Sequence, residues 1–198
     1  MHDFRYLIKP DHYDRYKAVI NYYDSIGIKA YWDLKHMPIE SIEFVTKEFK
    51  ELISRYYKVE IKEIGDFDTY SMIMGIADCE INKNGTEIGG RYNIKDKRLL
   101  IKSDFVPNTL KEYLCHEFAH ALDCTYNISD DEIIKGLYNR FYDDCNIDSR
   151  CISSISRYAL VDEREFFAEC FSSFNAKNNI NGYIRSVLDR TSDILYPI

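Results

Sequence analysis

Apolar residues recur along this chain at two periods, and the change from one to the other marks out its elements. Asp11 to Ile26 reads as a first helix closed by Gly27. Ile42, Val45, Phe49, Leu52 and Ile53 lay a stripe along a second, from Ile39 to Tyr57. The period then shortens, and Val59-Glu60-Ile61-Lys62-Glu63-Ile64 alternates strictly, as a half-buried strand does. Asp68 to Met74 reads as a short helix stopped by Gly75, and Asp78 to Gly85 as a polar loop. Two strands follow, Glu87 to Tyr92 and Arg98 to Lys102, joined by a turn at Lys95-Asp96-Lys97. Gly89 and Gly90 weaken the first as an interior strand; they suit an edge, or a place where another backbone comes close. Helical patterns then cover Asp130 to Tyr142, Glu163 to Asn175 and Ile180 to Asp193. Strands early and helices late predict an α+β fold.

One further helix carries candidate chemistry. Thr109 and Glu112 read as a capping box just after Pro107, which predicts a start near Leu110. Leu110, Leu114, Phe118, Ala121 and Leu122 fall on one face at 100° per residue, while His116 and His120 fall on another with Glu117 between. His116-Glu117-Phe118-Ala119-His120 has the form H-E-x-x-H. Residues four apart on a helix lie one turn above each other, so both imidazoles can reach a single ion. A carboxylate beside two neutral imidazoles on zinc is the core of a metal hydrolase. The plainer alternative is two surface histidines on an amphipathic helix.

Catalytic zinc takes a third protein ligand, and spacing alone does not choose among the acids downstream. The segment from Tyr158 to Glu169 is the most suggestive. Glu165 and Glu169 stand four apart on one helical face, and Phe166, Phe167, Phe171 and Phe174 would press that helix onto the core. One carboxylate could bind the metal and the other orient a histidine. Equally, Asp162 followed by Glu165 is a capping-type pair, and Glu165 could merely begin the helix. Cys124 lies a full turn beyond His120 and is a poor ligand candidate.

His116 to Asp123, Tyr158, and Glu165-Phe166-Phe167-Ala168-Glu169 together resemble the catalytic domain of the anthrax lethal factor family, which includes the clostridial Pro-Pro endopeptidases. These are gluzincins, with two histidines and a glutamate on zinc. The likeness covers roughly Ile88 to Phe174 and includes Gly89-Gly90 with Leu99-Leu100-Ile101, similar to the family's substrate-side edge strand and its neighbour. It implies a zincin-like domain across residues 1–198: amino-terminal helices over 1–57, a small mixed sheet and the H-E-x-x-H helix over 58–125, and a mainly helical half over 126–198. It implies one Zn2+ on His116, His120 and Glu165, with Glu117 as general base and Tyr158 facing the scissile carbonyl. Glu169 and Asp123 become supports of the ligands. The edge strand Ile88, Gly89, Gly90, Arg91 and Tyr92 would take an extended peptide. The amino-terminal third has no matching motif, and no aromatic in Asp78–Gly85 can take the proline-stacking role found in some relatives.

Composition narrows the partners. A net charge of −7 argues against nucleic acid or an anionic membrane as the main partner. No apolar run approaches the length of a membrane span, and a peptide-cleaving monomer is the expected form. Met1 to Pro10 has no signal-peptide core, so the chain as written reads as cytoplasmic unless another route or a removed leader exports it. Six cysteines without a C-x-x-C pair read as reduced and packed. Competing expectations are a binding module of the same fold that has lost catalysis, a hydrolase of small amides, and a structural zinc site.

Overall fold

Helix α1, Pro10–Ser25, ends where Gly27 adopts φ 73, a left-handed turn that sends the chain into strand β1, Lys29–Tyr31. The computed structural model describes residues 10–56, 58–74, 89–103 and 106–197. Helix α2 spans Ile39–Arg55, and its stripe Ile42, Val45, Phe49 and Leu52 is buried. Strand β2, Glu63–Asp66, leads directly into α3, Phe67–Met74. Strands β3, Gly90–Asn93, and β4, Arg98–Ile101, form a hairpin around Lys97, whose φ is 56. The rest is helical: α4, Pro107–Tyr126; α5, Glu132–Ile147; α6, Glu163–Lys177; and α7, Gly182–Leu195. Short 3-10 turns at Ile128–Asp130, Ser149–Ser154 and Tyr158–Leu160 join them. No described helix is long and apolar enough to cross a membrane.

The α+β expectation holds. The four strands make one mixed sheet in the order β1-β2-β4-β3, with β1, β2 and β4 parallel and β3 antiparallel to β4. Hairpin connection puts β3 at the edge, next to α4. The strand expected over Val59–Ile64 is displaced: the ladder begins at Glu63 and runs through Gly65 to Asp66. Just before it, the Lys62 N–H donates to Lys97 and the Lys62 carbonyl accepts from Lys29. Alternation reports which side chains are buried; pairing also needs partner backbone, which β1 supplies only from Lys29 to Tyr31.

The aromatic core fixes α4. Phe118 lies between Phe49 of α2 and Phe171 of α6, each 6.2 Å away by ring centroid, and all three are fully buried. Leu110, Leu114, Ala121 and Leu122 complete the buried face that the periodicity predicts. Burial of each large side chain contributes about 1.5–3 kcal/mol, so α4 is held in place along its length. The expected start near Leu110 is corrected: Pro107 is the first helical residue, and Thr109 lies inside the first turn. Proline suits that position because its missing N–H would have had no partner there. Cys115, Cys124, Cys145, Cys151 and Cys170 are free thiols; Cys79 lies outside the described residues, as do Gly75, the Asp78–Gly85 loop, Glu87 and Ile88.

Candidate metal centre

Two imidazoles and one carboxylate converge where α4 crosses α6. His116 Nε2 and His120 Nε2 are 3.1 Å apart. Glu165 places Oε2 3.1 Å from His116 Nε2 and Oε1 3.4 Å from His120 Nε2. The three side chains form a group that can hold a metal ion. Ligand atoms about 2.0–2.1 Å from a tetrahedral zinc stand roughly 3.3–3.4 Å from one another. The 3.1 Å between the two imidazole nitrogens is close to such an edge, and each Glu165 oxygen approaches a different histidine at a comparable distance. Glu165 Oε2 is buried and has no well-aligned hydrogen bond beyond its 3.1 Å approach to His116 Nε2, which is costly for a carboxylate oxygen unless a cation faces it.

Local structure explains how Glu165 gets there. Asp162 caps α6 by accepting from the Glu165 N–H at 2.9 Å, and Phe166, Phe167 and Phe171 bury the opposite side of the helix. The helix-start reading of Glu165 holds, and the same residue joins the two histidines in the group that could hold a metal ion. Its backbone is pinned by the cap, and its side chain is free to turn toward the histidines. One turn on, Glu169 Oε1 accepts from His116 Nδ1 at 2.9 Å. That bond fixes the ring so that Nε2 faces Glu165.

The charges are tightly paired. Burial opposes charge on His116, but its bonds to Glu165 and Glu169 more than offset this and hold the imidazolium up at about 10 when no cation is bound. Burial would raise Glu165, and the two histidines outweigh it and hold the carboxyl down at about 2. Glu117 is different. It is 5% exposed, and burial raises its pKa, against the pull of His116, His120 and the Tyr92 backbone N–H. A carboxylate raised toward neutrality is a better proton acceptor and donor at physiological pH.

The edge strand is moulded to this carboxylate. A Cβ on Gly90 would lie 2.6 Å from Glu117 Cγ, and one on Gly89 would lie 2.1 Å from the Tyr113 ring. The glycines thus admit helix side chains, where the sequence suggested an approaching backbone. Lys102 N–H donates to the Gly89 carbonyl, so Gly90 and Tyr92, at the alternate positions, turn their peptide groups away from β4. Arg91 is exposed, and Tyr92 is buried with its hydroxyl donating to the Glu60 carbonyl at 2.7 Å. Of the expected edge strand, Ile88 lies outside the described residues.

Tyr158 stands beside the histidines, its ring centroid 6.0 Å from that of His116 and 52% exposed. Burial of part of the ring raises its pKa, and the negative charges of Glu165 and Glu117 add to the effect. Ser156 Oγ accepts from the backbone N–H groups of Tyr158 and Ala159 at 3.1 and 3.3 Å, so it sets the turn that presents the tyrosine. That serine was not singled out from sequence, although Ser-x-Tyr is a readable side-chain turn. The expectation that Asp123 supports a ligand is corrected. Its oxygens accept from Ser129 N, Ser129 Oγ and Arg164 Nε at 2.6, 2.9 and 3.2 Å, which ties the end of α4 to the start of α6.

Fold and centre together define an α+β protein with a His-His-Glu group that could hold a metal ion. The chain matches no known family model, and a search of curated proteins finds no significant match.

Proposed function

We propose that the protein is a zinc-dependent endopeptidase of the zincin-like, gluzincin type. The observation that carries this reading is Glu117: a buried carboxylate adjoining the His116–His120–Glu165 group and wedged against a glycine of an edge strand. Three ligands favour a catalytic over a structural site, because structural zinc is usually closed by four. When bound, zinc would lower the pKa of water toward about 7 and polarise a carbonyl. Glu117 takes the proton from the attacking water and returns it to the departing amine. Tyr158 donates its hydroxyl to the oxygen that gains charge, a contribution typically worth about 2.7–4 kcal/mol for one such donor. Glu169 keeps His116 oriented.

Gly90 and the Tyr92 carbonyl turn away from β4 and would pair with an extended peptide, which favours a protein substrate over a small amide. The likeness of residues 116–123, 158 and 165–169 to the anthrax lethal factor family points the same way. Substitution of Glu117 by Gln tests the reading: bound zinc should be unchanged while turnover of a peptide library falls by about 10²–10⁴-fold. Full turnover in Glu117→Gln would overturn it.

A further inference from the structure

Away from the metal centre, the turn of the β3–β4 hairpin touches the last turns of α4 through two nucleophiles. Lys97 Nζ lies 3.1 Å from Cys124 Sγ and 3.3 Å from Glu60 Oε2. Cys124 is a free thiol and only partly buried, so a small oxidant can reach it. Lys97 sits in the hairpin turn with φ 56, and its amine also pairs with the Glu60 carboxylate. The Glu60 carbonyl is itself anchored by the Tyr92 hydroxyl. An amine and a thiol are thus held in contact between two separate elements.

We propose that Cys124 and Lys97 form an oxidation-triggered sulfur–nitrogen cross-link, with hydrogen peroxide as the oxidant. In the first step the Cys124 sulfur attacks peroxide: an S–O bond forms, the O–O bond breaks, and the departing oxygen leaves as water with the thiol proton. The sulfur is oxidised by two electrons to a sulfenic acid, and the peroxide is reduced. Sulfenic acids condense with thiols or nitrogen nucleophiles in reach. In the second step Lys97, after its ammonium gives a proton to solvent, attacks the sulfur. The N–S bond forms, the S–O bond breaks, and hydroxide leaves as water with a proton from the nitrogen. One thiol, one amine and one peroxide give one sulfenamide and two waters.

The product would tie the hairpin that carries Gly90 and Tyr92 to the helix that carries His116, Glu117 and His120, and an added thiol would reverse it. The chemistry is independent of proteolysis. Folded full-length protein is treated with hydrogen peroxide in mildly alkaline buffer and analysed by intact mass and peptide mapping. The expected product is lighter by two hydrogens, contains a peptide joined through Lys97 and Cys124, resists trypsin at Lys97, and reverts with dithiothreitol. Lys97→Arg should lose the joined peptide and leave Cys124 trappable by dimedone as sulfenic acid; Cys124→Ser should show neither. A wild-type protein without the joined peptide, or with a joined peptide that retains an oxygen between the two residues, would overturn the proposal.

Discussion

Substituting Gly90 by alanine perturbs the proposed catalytic base without touching a metal ligand. The added Cβ would sit 2.6, 2.8 and 3.1 Å from Glu117 Cγ, Oε1 and Cδ. Carbon atoms rest at roughly 3.5–4.0 Å, so about 1 Å of relief is required. Little around it can yield. Phe118 and Leu114 bury α4, and the Gly89 carbonyl is bonded to Lys102 at 2.7 Å. The displacement therefore falls on the Glu117 side chain and the adjoining strand. Overpacking of this kind costs about 1–3 kcal/mol of stability, a fall in Tm of roughly 2–12 °C for a chain of this size. A misplacement near 1 Å costs on the order of 10²-fold in rate. Zinc per chain, Tm by calorimetry and kcat on a cleaved peptide would be measured side by side. The expected pattern is unchanged zinc, lowered Tm and a kcat down by about a hundredfold. An alanine variant with wild-type Tm and kcat would refute the close packing of Gly90 on Glu117.

Two further outcomes follow from the same geometry. Glu169→Gln, which weakens the hold on His116 Nδ1, should reduce zinc affinity about 10–100-fold in a chelator competition while the helices stay intact by circular dichroism. Protonation gives the second. With no cation bound, His116 is held up at about 10 and Glu165 down at about 2. The raised histidine stabilises the metal-free fold fully below its unfolded value near 6.5, and this stability is lost as pH climbs through about 10. The depressed carboxylate stabilises it above about 4.5, and this is lost as pH falls through about 2. Zinc must displace the His116 proton, so titration calorimetry in buffers of different ionisation heat should find about one proton released per zinc between pH 7 and 9. Release of none would contradict the pairing.

Much of the centre was legible because helical periodicity carries direction. The faces of α4 follow from the spacing of Leu110, Leu114 and Phe118 against His116 and His120, and all three apolar residues are buried as that spacing requires. The helix start was not, since Thr109–Glu112 mimics a capping box while Pro107 begins the helix. Strand β1 escaped notice because Lys29–Tyr31 is too short to alternate, and its absence from the reading left β2 without its true register. Glu165 was divided between cap and ligand because a sequence cannot show that its backbone N–H meets the cap while its side chain stands beside the histidines. Asp123 was made a ligand support by the family likeness alone. Its bonds run to Ser129, six residues on, and to Arg164, whose position depends on where the chain returns 41 residues later, which no local pattern encodes.

Zinc binding by the full chain, measured against a competing chelator together with His120→Ala and Glu165→Ala, is the most direct test that three side chains from two helices hold one ion. The expected result is one zinc per chain in the wild type, with affinity collapsing in either variant. Zinc bound equally well by Glu165→Ala, or not bound by the wild type at all, would contradict it.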